Sequence, residues 1–143
     1  MENLNFETGT VKLTINNDPT RVIEFDPTDV VFAAKFYRAI GEFNEKMTEL
    51  QKQAKKFERE TATDASGLPV NAAERLEFVE EVCQYLKGKI DDLFGAGTSQ
   101  TVFGDGMSIQ AIQGFFEGIM PYVEKVRNKK MAKYLNEKSS LLK

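Results

Sequence analysis

The sequence predicts an α+β domain that is mainly helical, with an N-terminal β-hairpin followed by a long helix and two further helices. Two short apolar runs near the N-terminus alternate with polar residues, and three later stretches carry apolar residues at helical spacing. We expect one domain over residues 1–143, with the hairpin at 10–26, helices at about 27–60, 72–94 and 108–135, and a basic C-terminal tail. A chain of 143 residues is long enough to bury a core without disulfides or metals.

The hairpin is predicted from the run VKLTI, in which Val11, Leu13 and Ile15 share one side and polar residues the other. NNDPT supplies turn-forming residues, and RVIEF is predicted to form the returning strand. Because two strands alone are marginally stable in water, the hairpin must lie on a helix, join another sheet or pair with a second chain.

The first helix is predicted to begin at Asp26 and Pro27, a capping side chain followed by a residue suited to a first turn. It carries a stripe with alternating spacings of three and four residues, formed by Ala33, Phe36, Ile40, Phe43, Met47, Leu50, Ala54 and Phe57. About 30 residues of helix span about 45 Å. Two interpretations stay open: later helices of the same chain cover the stripe, or a partner molecule does.

Two further helices have stripes of the same kind. Asn71 and Glu74 resemble a capping box, and the stripe that follows is Leu76, Val79, Cys83, Leu86, Ile90 and Leu93. The last helix begins near Ser108 and carries Ile112, Phe115, Phe116, Ile119, Val123 and Val126. Because proline lacks an N–H and clashes with the preceding turn, Pro121 predicts a kink or a break.

The composition argues against an enzyme, a metal site and a bound cofactor. Histidine is absent, and Cys83 is the single cysteine and sits in a helical core stripe. The stretch from Asp91 to Ser108 holds four of the ten glycines, yet it lacks the lysine and preceding strand of a phosphate-binding loop. Gly95 is better interpreted as a helix end and Ser108 as the next cap. No apolar run is long enough to cross a membrane, and no secretory signal begins the chain, so a cytoplasmic protein is expected.

Charge is distributed unevenly along the chain, whose net charge is −3. From Glu124 to Lys143 there are seven basic and two acidic residues, a net charge of +5, which leaves −8 for the preceding part. Lys125, Lys129 and Lys133 share one side of the predicted last helix. They suit an acidic protein partner, and nucleic-acid binding through this basic helix stays as the alternative.

Three segments together resemble the tail assembly chaperones of long-tailed bacteriophages and prophages of Gram-positive hosts. They are the hairpin VKLTINNDPTRVIEF leading into FAAKFYRAI, the stretch IDDLFGAGTSQTVFGDG, and the closing helix FFEGIMPYVEKVRNKK. The resemblance implies a non-enzymatic protein that binds the tape measure protein and helps to recruit the tail tube protein during tail morphogenesis. It further implies action in the bacterial cytoplasm and absence from the mature virion.

The resemblance also implies a helical client and, in many relatives, a frameshift-extended product that contacts the tube protein. A chaperone for a helical client needs exposed apolar surfaces, and self-association into an oligomer is also expected. The candidate partner-binding residues are those of the long helix and an aromatic cluster near Pro121: Phe36, Ile40, Phe43, Met47, Leu50, Phe57, Phe115, Phe116 and Tyr122.

Overall fold

A computed structural model describes the backbone of residues 1–60 and 62–141, and side chains as far as Val126. Two strands, β1 (Val11–Ile15) and β2 (Asp18–Phe25), precede four helices. These are α1 (Val30–Arg59), α2 (Ala72–Phe94), α3 (Thr98–Phe103) and α4 (Ile109–Leu141). The predicted fold class, a mainly helical domain with an N-terminal antiparallel hairpin, is confirmed.

The hairpin closes through a two-residue turn. Asn16 and Asn17 have φ angles of 51° and 62°, the left-handed pair that a tight hairpin turn requires and that asparagine tolerates. Pairing of Val11 with Phe25 and of Leu13 with Ile23 places the alternating apolar residues on one face. Ile23 and Phe25 are buried there, so the hairpin lies on the helices rather than standing alone.

Helix α1 starts three residues later than the sequence predicted. The Asp26 carboxylate accepts hydrogen bonds from the backbone N–H and hydroxyl of Thr28, which makes a turn rather than a helix cap. Asp29 is the N-cap, and its carboxylate accepts from the Val31 N–H at 2.9 Å. The predicted start at residue 27 is therefore wrong, because the first of two nearby aspartates is committed to the turn.

Helix α2 returns along α1. Lys89 lies 3.5 Å from Glu42 near one end, and the Arg75 guanidinium lies over the Phe57 ring near the other. Asn71 precedes α2 as expected, but its side chain makes no capping bond and donates instead to Glu60 at 2.9 Å. The predicted capping box is therefore not formed.

The chain after α2 agrees with the sequence prediction at Ser108 and differs from it in α3 and in the extent of α4. Six residues of the glycine-rich stretch form α3, held by Asp91, which accepts from the Ser99 N–H at 2.7 Å. The Ser108 hydroxyl accepts from the Ala111 N–H and caps α4 as expected. Helix α4 continues without a break through Pro121 and extends to Leu141 rather than to about residue 135.

The core is one cluster built from both strands and the four helices. Its fully buried members are Phe36, Cys83, Leu86, Ile90, Ile112, Phe116 and Val123. The Phe36 and Phe116 rings lie 6.2 Å apart, and Phe43 lies 5.6 Å from Phe116, so α4 covers the first half of the α1 stripe. Among the helices in the described part of the chain, none combines the length and apolarity that a membrane crossing demands.

Candidate protein-binding groove

An open groove separates the inner face of the hairpin from α4. Its volume is about 720 Å³, within the usual range for ligand sites in proteins. The hairpin contributes one wall, α4 the opposite wall, and the end of α3 with the following loop closes one end. The lining residues are Leu13, Thr14, Ile15, Asn16, Arg21, Ile23, Val102, Phe103, Gly106, Ser108, Ala111, Gly114, Phe115, Gly118, Ile119 and Tyr122.

Small residues make the α4 wall. Ser108, Ala111, Gly114 and Gly118 follow one another at spacings of three and four residues, which places them on one side of the helix. A Cβ atom added at Gly114 or at Gly118 would meet no atom within 4 Å. The groove is open along this wall because these positions carry little or no side chain, and an occupant can approach the helix backbone closely.

Apolar and aromatic side chains make the rest of the surface. Leu13 and Ile15 of the hairpin are half-buried, and Phe115 packs edge-on against Phe103 with ring centroids 5.7 Å apart. Tyr122 lies at the end nearer α1, edge-on to Phe25 at 5.9 Å, and stays 37% exposed. Burial of such partly exposed apolar area by an occupant is favourable.

The glycine-rich stretch closes the groove and holds α3 to the hairpin. Arg21 of β2 donates through Nε to the Thr101 carbonyl at 2.9 Å and through Nη2 to the Val102 carbonyl. The Lys87 ammonium donates to the Gly104 carbonyl at 3.0 Å from the α2 side. These two cations satisfy the carbonyls at the end of α3, where a short helix leaves backbone acceptors without helical partners.

The structure separates the predicted partner-binding residues into two groups. Phe36, Phe43, Phe57 and Phe116 are buried within the chain, and Ile40, Met47, Leu50 and Phe115 are half-buried. Only Phe115 and Tyr122 line the groove. Of the two interpretations of the α1 stripe, burial of Phe36, Phe43 and Phe57 favours cover by the same chain. Ile40, Met47 and Leu50 stay half-buried, and partner binding through the stripe stays a prediction.

The sequence analysis did not select several of the residues that line the groove. Leu13 and Ile15 were identified as a strand face but not as part of a site. Gly114 and Gly118 were not selected either, although two glycines four residues apart in the apolar helix AIQGFFEG are a recognisable signal of close helix approach. That glycine pair, together with the apolar hairpin face that carries Leu13 and Ile15, could have predicted the groove.

The titratable groups with shifted pKa values lie outside this groove. Burial raises the pKa of the Cys83 thiol, so the thiol stays protonated and packs as a small apolar side chain. The Glu42 carboxylate beside Lys89 raises the pKa of that ammonium. Within the described residues, no three histidine, cysteine, aspartate or glutamate side chains are grouped so that they could hold a metal ion.

A family model described as "Family of unknown function (DUF6673)" matches residues 18–140. This range starts at β2 and includes every helix that surrounds the groove. No curated protein and no solved structure matches the chain.

Proposed function

We propose that this chain, which belongs to the DUF6673 family, is a non-enzymatic chaperone that binds an apolar helix of a client protein in the groove. Following the resemblance, the client is the tape measure protein of a phage tail. In the same proposal the protein helps to recruit the tail tube protein, works in the cytoplasm of the bacterial host and is absent from the finished virion.

The groove between the hairpin and α4 carries this proposal. The volume of the groove, about 720 Å³, lies within the usual range for ligand sites in proteins. Its α4 wall runs from Ser108 to Gly118, about 15 Å, which is close to three turns of a client helix. The small residues along α4 let the client backbone come close, and the half-buried Leu13, Ile15 and Phe115 meet its apolar face.

The resemblance and the groove share several parts of the chain. VKLTINNDPTRVIEF forms β1 and β2 and leads into FAAKFYRAI of α1, IDDLFGAGTSQTVFGDG runs from the end of α2 through α3, and FFEGIMPYVEKVRNKK lies in α4. The hairpin wall, the closed end and the helical wall of the groove come from these segments, whereas FAAKFYRAI contributes no lining residue. This overlap supports a client site at the groove.

The test is coexpression with the tape measure protein encoded in the same genome, with groove-filling variants. Gly114→Leu and Gly118→Leu place a branched side chain into open space. Replacing glycine by leucine in a helix favours folding by up to about 1 kcal/mol. We expect the wild-type chain to keep the client soluble and to co-purify with it. The amount of client that co-purifies with each variant should be at least tenfold lower.

Gly41→Leu is the matched control, because Gly41 lies exposed in α1, has no atom within 4 Å of an added Cβ, and is outside the groove. It should retain the client. Equal client retention by all three variants, or a client that stays insoluble with the wild-type chain, would refute the proposal. So would binding of DNA with a steep salt dependence and no client, which favours the nucleic-acid alternative.

A further inference from the structure

The segment that precedes β1 forms an exposed arm, which we define as residues 1–8. Every residue of the arm is exposed, and Leu4 and Phe6 are 81% and 76% exposed. Single exposed apolar residues are common on protein surfaces, but two large ones on a short segment without secondary structure leave much apolar area in water. The arm therefore gains free energy from any site that buries both side chains.

The arm is extended around these two residues. The Asn3 side-chain amide donates to the Asn5 side-chain carbonyl at 3.3 Å. Because side chains two residues apart share one side of an extended chain, Asn3 and Asn5 lie on one side and Leu4 and Phe6 on the other. The arm thus has a short apolar side and a polar side, as a half-buried strand does.

Gly9 fixes the direction in which the arm leaves the body of the molecule. Its N–H donates to the Asp26 carboxylate, and a Cβ atom at Gly9 would collide with Thr28. To enter its own groove the chain would have to reverse here, yet Gly9 does not have the positive φ that tight hairpin reversals favour. The arm is therefore presented to another molecule.

The groove beside α4 offers open space at a matching spacing. Leu4 and Phe6 lie about 7 Å apart along an extended chain, and Gly114 and Gly118 lie about 6 Å apart along the helix. A Cβ atom added at either glycine meets no atom within 4 Å. Each of the two apolar side chains can therefore occupy the space over one glycine, beside the half-buried Phe115.

The charges of the arm and the groove are complementary. Among the described residues that line the groove, Arg21 is the one with a charged side chain, and it is half-buried. The arm carries Glu2 and Glu7 and no basic side chain. Complementary charges select the partner more than they add affinity, so an acidic apolar segment suits this groove better than a basic one.

We infer that two copies of this chain exchange their arms, so that the arm of each copy occupies the groove of the other. Because each copy has one arm and one groove, reciprocal exchange closes a dimer with two-fold symmetry. In terms of the proposed function, the exchanged arms cover the apolar groove until a client replaces them. The exchange itself does not depend on a client.

The test measures mass against concentration by sedimentation equilibrium, with the full chain and no client present. We expect the wild-type chain to form a dimer. Leu4→Ser combined with Phe6→Ser, the arm variant, should weaken dimerisation about tenfold or more, because the burial of two apolar side chains is lost. Gly114→Leu combined with Gly118→Leu, the groove variant, should weaken it as much, because the leucines fill the space that the arm takes.

The arm variant should leave the stability of the monomer unchanged, because no arm residue belongs to the core cluster. Urea denaturation followed by circular dichroism, at concentrations where the chain is monomeric, checks this expectation. The same measurement establishes that the groove variant is folded.

Matched controls change the same kinds of residue elsewhere. Leu68→Ser combined with Val70→Ser removes apolar side chains that are 59% and 66% exposed far from the arm in sequence. Gly41→Leu adds a leucine at an exposed helix position outside the groove. Both controls should dimerise as the wild-type chain does.

The charge argument has its own pair of variants. Glu2→Gln combined with Glu7→Gln should weaken dimerisation about threefold, the effect of a partly exposed charge interaction. Glu45→Gln combined with Glu58→Gln changes net charge equally at exposed positions of α1 and should have no such effect.

A mixture of the arm variant and the groove variant is the decisive measurement. The arm variant keeps an intact groove, and the groove variant keeps an intact arm. Equal amounts of the two should therefore form a complex of one copy of each, held by a single arm, at concentrations where each variant alone is monomeric.

Each other result rejects the inference. A wild-type chain that stays monomeric at all concentrations excludes exchange, and this includes a monomer whose arm covers its own groove. Equal weakening by the controls shows a general effect of surface composition, and a mixture that fails to pair shows that arm and groove do not meet. The arm variant keeps its groove and should still retain the client, so failure here is distinguishable from failure of the proposed function.

Discussion

The two ends of the long α1 helix are stabilised in different ways. Near its start, Phe32, Phe36 and Phe43 belong to the core cluster together with residues of both strands and of α2, α3 and α4. Near its end, Phe57 is buried outside that cluster, under the guanidinium of Arg75. The first end is held by apolar burial from several elements, and the second by one aromatic ring and a set of hydrogen bonds.

This difference predicts that the two ends differ in rigidity. A groove wall must keep its shape, and α4 is fixed by core residues that do not line the groove, such as Ile112, Phe116 and Val123. We call the other end the tip: the last residues of α1 (57–60), the connecting loop (62–71) and the first residues of α2 (72–76). The tip contributes little to the core and exposes Leu68, Val70 and Leu76. Regions with few buried apolar contacts open at lower free energy than the core does, so we expect the tip to open more readily than the groove.

The largest predicted effect is at the core end. Phe36→Ala removes a fully buried ring that packs on Phe32, Tyr37 and Phe116. We expect a loss of about 3–5 kcal/mol in the free energy of unfolding, measured by urea denaturation followed by circular dichroism. For a domain of this size such a loss removes much of the total stability.

Phe6→Ala is the comparison for this variant, because Phe6 is 76% exposed. It should change the free energy of unfolding by no more than about 0.5 kcal/mol. Similar losses for the two variants would show that the core does not dominate stability at this end.

The sequence predicted the core end better than the groove. Apolar periodicity identified Phe36, Phe43, Leu86, Ile90, Ile112 and Val123, because burial against several elements leaves a regular pattern. Phe32 and Ala39 were missed since they lie beside the 3-4 stripe, and Leu76 was assigned to the core although it is exposed at the tip. A stripe tells which side of a helix is apolar, not how far along the helix the core extends.

Other errors came from competition between local bonds. Asp26 and Asp29 both fit a helix start, and only the Asp26 contact with Thr28 decides between them. The glycine-rich stretch gave no helical signal, yet α3 forms because Asp91, Lys87 and Arg21 bond to its ends. The groove depends on the distance between the hairpin and α4. Tertiary packing sets this distance, and no local sequence pattern encodes it.

A smaller effect is expected at the tip. Phe57→Ala should lower the global free energy of unfolding by about 1–3 kcal/mol, less than Phe36→Ala, because the ring touches few elements. The local effect should be larger than the global one: limited proteolysis within residues 62–70 should become faster, whereas cleavage within residues 80–94 should not. Phe57→Leu keeps most of the apolar area and should restore resistance.

If Phe57→Ala instead destabilised the protein as much as Phe36→Ala, the tip and the core would form one cooperative unit. The distinction between the two ends would then fail, and with it the expectation that the tip adjusts independently.

The smallest effect concerns the charge that shapes the tip loop. Hydrogen bonds from the Ser66 hydroxyl and from the backbone of Leu68 and Ser66 lower the pKa of the Asp64 carboxyl. A lowered pKa in the folded state stabilises the loop above the ordinary aspartate pKa of about 3.9, and this contribution is lost as pH falls through the lower folded value. The loop should therefore loosen only below about pH 4, while the core stays folded.

Nuclear magnetic resonance can follow this loosening through the Ser66 and Leu68 amide signals between pH 7 and pH 2. Both should titrate with a midpoint below the ordinary aspartate value, and Asp64→Asn, which keeps the accepting oxygen, should remove the titration without opening the loop at neutral pH. A midpoint at or above the ordinary value would mean that the carboxylate does not hold the loop. The exposed position of Leu68 would then need another cause, because the polar bonds that distinguish this end from the core would not be maintaining its shape.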